Sequence, residues 1–74
     1  MKIIKVKDLV NSYKASLEDE TTTNNAILLG EYLIENDIAE LTENQVDQFN
    51  FSVSYEEIEV ESLEEITAYI IDEA

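Results

Sequence analysis

Apolar side chains recur along the chain at spacings that predict one element after another. Ile3, Ile4 and Val6 predict a short strand within residues 1–6. Val6, Leu9, Val10, Tyr13 and Leu17 then fall at the i, i+3, i+4, i+7 and i+11 offsets of one helical face, predicting a helix over residues 7–17. Residues 18–25, EDETTTNN, carry no apolar side chain. Clustered Thr and Asn favour local side-chain-to-backbone bonds, so a loop is predicted there. One of its Thr or Asn residues is expected to cap the next helix. That helix, residues 24–36, is apolar nearly all round. Ala26, Leu29 and Leu33 share a face with Tyr32 beside them, Ile27 and Ile34 lie on the far side, and Leu28 flanks them. Only Glu31 and Glu35, four residues apart, form a polar stripe. A helix apolar on every side is buried on several. In so short a chain that makes it the central helix, with a dimer face as the alternative. Gly30 costs about 0.8–1 kcal/mol against Ala in a helix interior, so a close-packing contact is expected there.

Asn36-Asp37 predicts a turn, and Ile38, Ala39 and Leu41 a short helical or irregular step. Thr42 followed three residues later by Gln45 matches a capping box. The short helix it starts runs through Phe49, buries Val46 and Phe49, and ends at Asn50. Phe51, Val53 and Tyr55 alternate with Asn50, Ser52 and Ser54, the pattern of a half-buried strand. Ile58 and Val60 continue that alternation one position out of phase. The slip at Glu56-Glu57 predicts a bulge within one strand or a turn between two. A two-residue hairpin turn normally uses Asn-Gly or Asp-Gly, which favours the bulge. Ser62 with Glu65 matches a second capping box, and Leu63, Ile66, Thr67, Ile70 and Ile71 share a face of the final helix. Glu64 and Glu65 suit the start of that helix, whereas Asp72 and Glu73 oppose its dipole. The expected architecture is a small single-domain α+β fold, with three to four helices packed on a short sheet in the order β-α-α-α-β-α. The bulged strand or hairpin lies near residues 51–60.

Charge changes this picture more than composition does. The chain has 74 residues and a formal net charge of −14. All four of its bases (Lys2, Lys5, Lys7, Lys14) lie in the first 14 residues, beside a single acid, Asp8. Residues 15–74 hold the other 17 acids and no base. Self-repulsion on that scale destabilises a compact state. Direct binding to nucleic acid or to an anionic membrane would meet like charge, so neither is expected. The chain has no Cys and no His, which removes disulfides, thiolate metal sites and the commonest general base. No secretion-signal pattern or membrane-length apolar run is present, and a cytoplasmic location is expected. There is no calcium-loop motif, phosphate loop, dinucleotide fingerprint or nucleophile-base motif. Carboxylate pairs can serve glycoside hydrolysis, but that chemistry needs a cleft. No enzymatic activity, metal or cofactor is therefore expected.

The carboxylates do form a pattern. With Ile58 and Val60 facing the core, Glu57, Glu59 and Glu61 would project from the opposite strand face, roughly 6.6 Å apart. Glu31 and Glu35 on their helix would stand about 6 Å apart at Cβ. Both separations are of the order of phosphate spacing along a nucleic-acid strand. Two unit charges at about 6.6 Å in water repel by roughly 0.6 kcal/mol, so the row is tolerable only when exposed. Glu56, Glu64 and Glu65 lie beside it, and Tyr55 and Tyr69 would add aromatic contacts at its rim.

The base-free block of residues 15–74, with its acidic rows at 56–61 and 64–65, resembles the small acidic anti-defence proteins of phages and mobile elements. These are the anti-CRISPR and anti-restriction proteins of the DNA-mimic type. The resemblance implies occupation of a nucleic-acid site on a nuclease or effector complex. The expected function is an acidic protein-binding module that docks on a basic, nucleic-acid-binding partner and inhibits it by mimicking phosphates. The alternative is a small regulatory or structural subunit, or an antitoxin-like neutraliser. It would form homo- or heterodimers through Ile27, Leu28 and Ile34, with the acids serving solubility.

Overall fold

In the computed structural model, which describes residues 2–16, 19–55 and 57–73, strand β1 (Ile3–Lys5) runs directly into helix α1 (Val6–Ala15). Helix α2 (Glu20–Glu35) follows, then strand β2 (Glu40–Thr42) and helix α3 (Glu43–Tyr55). One turn of 3-10 helix at Val60–Ser62 leads into helix α4 (Leu63–Asp72). β1 and β2 pair antiparallel, with Ile3 opposite Thr42, Ile4 opposite Leu41 and Lys5 opposite Glu40. The fold is α+β and mostly helical, and its radius of gyration is 11.0 Å. A compact chain of this length is expected near 11 Å.

The α1 face forms as its spacing predicts. Val6 and Val10 are buried, and Leu9 and Tyr13 are half-buried against the core, while Leu17 lies outside the described residues. Helix α2 is central, packing on α1, α3 and α4. Its Ala26, Leu29 and Leu33 are fully buried, and Ile27, Leu28 and Tyr32 pack partly buried against the same core. Gly30 has the close contact expected of it: a Cβ there would overlap the Val10 Cγ2 methyl. Phe49, Leu41, Val53, Leu63 and Ile70 complete the centre.

Helix α2 begins four residues earlier than predicted. Its cap is Asp19, whose carboxylate accepts the Thr22 backbone N–H at 2.9 Å and the Thr22 hydroxyl at 3.0 Å. Residues 20–25 of the stretch expected to be a polar loop are thus the first turns of the helix, with Thr22 and Asn25 buried within it, and Glu18 lies outside the described residues. The helix ends in a Schellman turn. Ile38 N–H donates to Leu33 C=O at 2.9 Å and Asp37 N–H to Ile34 C=O at 3.1 Å, with Asp37 in the left-handed region at φ 64°. The predicted turn at Asn36-Asp37 is this motif.

The second half differs more. Leu41, expected in a short helical or irregular step with Ile38 and Ala39, instead lies in strand β2. The capping box at its end is present in both directions: Thr42 N–H donates to Gln45 Oε1 at 2.9 Å and Gln45 N–H to Thr42 Oγ1 at 3.3 Å. The helix it opens does not stop at Asn50 but continues to Tyr55. There is no strand among the described residues of 51–60, neither bulged nor as a hairpin, and the order is β-α-α-β-α-α. Val46, Phe49 and Val53 lie at helical spacing on the buried face. Ile58 is buried as expected, but Val60 is 68% exposed. Ser62 precedes α4 in helical conformation and makes no side-chain cap, because the 3-10 turn already leads the chain into the helix. No helix among the described residues is long and apolar enough to cross a membrane.

Candidate partner-binding groove

Helices α3 and α4 pack side by side, and their outer flanks do not meet. On α3, the face through Val46, Phe49 and Val53 turns inward. That leaves Phe51 and Tyr55, one turn apart, on the outer flank, with ring centroids 5.6 Å apart and planes inclined by 24°. On α4, Leu63, Thr67 and Ile70 turn inward. Ile66 and Tyr69 then edge the side towards α3. Between the flanks lies a groove of about 330 Å³. Its walls are Gln48, Phe51, Ser52 and Tyr55 on one side and Ile66 and Tyr69 on the other, with Glu57, Ile58 and Ser62 supplied by the connection. Phe51, Tyr55 and Tyr69 are 62%, 73% and 57% exposed.

The connection between α3 and α4 is held from below by α2. The buried Asn25 amide donates to Val53 C=O at 3.0 Å and accepts the Ile58 N–H at 2.9 Å. One side chain therefore satisfies a carbonyl in the last turn of α3 and the N–H of the buried Ile58 beyond it. This latch pulls Ile58 into the core and fixes where Glu57 and Glu59 leave the surface.

The sequence-predicted site residues do not gather in one place. Tyr55, Glu57 and Tyr69 meet at the groove. Glu65 joins them by accepting the Tyr69 hydroxyl at 3.4 Å. Glu64, on the other flank of α4, lines a separate depression of about 390 Å³ with Tyr32, Asn36 and Thr67. The Thr67 hydroxyl is buried there without a hydrogen-bond partner among the described residues. Glu31 and Glu35 are exposed on α2. Glu56 lies outside the described residues. Glu57, Glu59 and Glu61 are all exposed, but Glu61 sits in the 3-10 turn and the others in irregular backbone. The evenly spaced strand row expected of these three is therefore not formed.

Every described Asp and Glu is exposed. Asp19 is held below its ordinary value of 3.8, first by the Thr22 backbone N–H and then by the Thr22 hydroxyl. Among the described residues no group of three or more His, Cys, Asp or Glu is placed to hold a metal ion.

Phe51, Ile66, Gln48 and Ser52 were not singled out as site residues, although the signal for three of them is in the chain. Phe51 with Tyr55, and Gln48 with Ser52, stand four apart, the spacing of neighbours on a helix. In the helix Gln48 Nε2 donates to Ser52 Oγ at 3.4 Å. Compared with protein-family models, with curated proteins and with solved structures, the chain matches none.

Proposed function

We propose that this chain is an acidic protein-binding module. It docks on the basic groove of a nucleic-acid-binding partner, a nuclease or a CRISPR or restriction effector, and inhibits it by standing in for nucleic-acid phosphates. One observation carries the reading: every described carboxylate is exposed, and no base follows Lys14 to neutralise them. Such a surface repels itself in isolation and gains most from a partner that brings positive charge. The loss of the regular strand row removes the simplest phosphate ladder, so the negative surface as a whole, centred on Glu57, Glu59, Glu61 and Glu65, is what a basic groove would meet. Solubility alone does not account for three exposed aromatic rings among these acids. Tyr and Phe are enriched where proteins meet.

The dimer alternative rests on Ile27, Leu28 and Ile34. Ile27 and Leu28 are packed against the core, which leaves Ile34 as the exposed member of the three.

The test is competition. A nucleic-acid-binding protein retained from lysate on the immobilised chain is titrated with labelled DNA or RNA at increasing concentrations of the chain. The apparent Kd for nucleic acid rises in proportion to the added chain. Simultaneous binding of chain and nucleic acid, with the Kd unchanged, overturns the reading.

A further inference from the structure

The groove between α3 and α4 is described by two properties that pull towards different ligands. Its walls are aromatic and apolar, while its edges carry Glu57 and, through the Tyr69 hydroxyl, Glu65. A purely apolar occupant would leave those carboxylates desolvated and unpaired, which is costly. A purely electrostatic contact has no use for the rings. Nucleic acid and anionic membrane are repelled by the net charge of −14. A second copy brings the same charge, and its four bases are all lysines in the first 14 residues.

We propose that the groove takes an arginine flanked by an apolar side chain, presented by a segment of the basic partner. The guanidinium stacks on Tyr55 and Tyr69 and pairs with Glu57 and Glu65, while the apolar neighbour seats over Ile58 and Ile66. Arginine fits better than lysine for a physical reason. Its planar, weakly hydrated group lies on an aromatic face and still offers donors in its plane to carboxylates, whereas an ammonium is compact and strongly hydrated. This inference rests on the proposed function for its partner class, but it places the contact in one groove and makes it depend on rings as well as charge.

The probe is a short blocked peptide of alternating leucine and arginine, titrated into the isotopically labelled full chain and followed by NMR. Companion peptides replace arginine by lysine, or leucine by serine. Shifts concentrate on Phe51, Tyr55, Ile58, Ile66 and Tyr69, and each companion peptide binds several-fold more weakly. Tyr55→Ala with Tyr69→Ala removes two exposed rings and no charge, and weakens binding about tenfold. A thermal melt of that variant separates lost contact from lost fold. Glu57→Gln with Glu65→Gln weakens binding by a similar factor, whereas the equal charge change Glu43→Gln with Asp47→Asn, on the first turns of α3, leaves it within about twofold. The proposal is overturned if the peptide does not bind, if arginine and lysine peptides bind equally, or if shifts spread over all acidic surfaces and the tyrosine pair is indifferent. Those outcomes leave nucleic-acid competition to stand or fall by itself. Groove binding without competition would sink the proposed function and keep the groove.

Discussion

Asn25 decides the geometry of the site although it does not belong to it. Its amide is buried and bridges Val53 C=O to Ile58 N–H. Replacement by Leu keeps the branched shape and leaves both backbone groups without that partner, at about 1–3 kcal/mol each. Asn25→Leu is therefore expected to cost about 2–6 kcal/mol in urea unfolding, with the loss centred on the connection. Hydrogen exchange at the Ile58 amide reports this directly: it accelerates in the variant by more than the amides of α1 do. An equal acceleration everywhere would mean that Asn25 contributes to global stability and not to the connection. Gly30 shows the same dependence on tertiary context, since its missing side chain is what lets α1 and α2 approach at Val10.

At the scale of elements, the capping of α2 carries a pH signature. The Asp19 carboxylate is held below 3.8 by its bonds to Thr22. A group whose pKa is depressed on folding contributes stability that is fully present above its unfolded value and is lost as the pH falls through its folded value. Asp19→Ala is thus expected to lower Tm at neutral pH. The gap to the unaltered chain should close as the pH drops past 3.8 and through the lower folded value. A gap that persists unchanged in acid would assign the loss to something other than the charged cap.

The elements that were legible in the sequence are those whose spacing has one reading. The face of α1, the core face of α2, the Thr42–Gln45 box and the face of α4 through Leu63, Ile66, Thr67 and Ile70 belong to this class, whereas Ile71, expected on that last face, is exposed. The misread stretch, FSVSY, satisfies two periods at once. Phe51, Val53 and Tyr55 alternate like a strand, while Val46, Phe49 and Val53 continue a helical face. The helix prevails because those three bury one face, and because Asn50 does not end it: Asn50 Oδ1 instead accepts the Tyr13 hydroxyl at 2.6 Å. The start of α2 was hidden for a related reason. Thr22 and Asn25 look like loop residues until their partners, Asp19 and the Val53 and Ile58 backbone, are in place. Strand β2 buries only Leu41, and its pairing with β1 is non-local, so three residues carried no pattern to read. Of the candidate site, the charge and the two tyrosines were legible. The groove was not, because it depends on α3 continuing past Asn50.

At the scale of the whole molecule, the charge is held on a folded surface. The connection from Glu57 to Ser62 is anchored by Ile58 and the Asn25 latch, so Glu57, Glu59 and Glu61 project from a fixed backbone. The sheet sets Lys5 opposite Glu40, both exposed. The Asp72 and Glu73 carboxylates are exposed at the end of α4 against its dipole, while the Glu73 backbone N–H closes the helix on Ile70 C=O at 3.1 Å.

On the proposed function, this negative surface draws in a basic partner by electrostatic attraction. The most direct measurement is the association rate with a partner retained on the immobilised chain. It is followed from about 0.05 to 0.5 M salt, over which the screening length shrinks from beyond about 10 Å to a few ångströms. The comparison is with Glu57→Lys, Glu59→Lys. The rate for the unaltered chain is expected to fall at least tenfold with salt, and the charge-reversed variant to associate at least tenfold more slowly at low salt with a flatter salt dependence. A rate indifferent both to salt and to the reversal would contradict the proposed function.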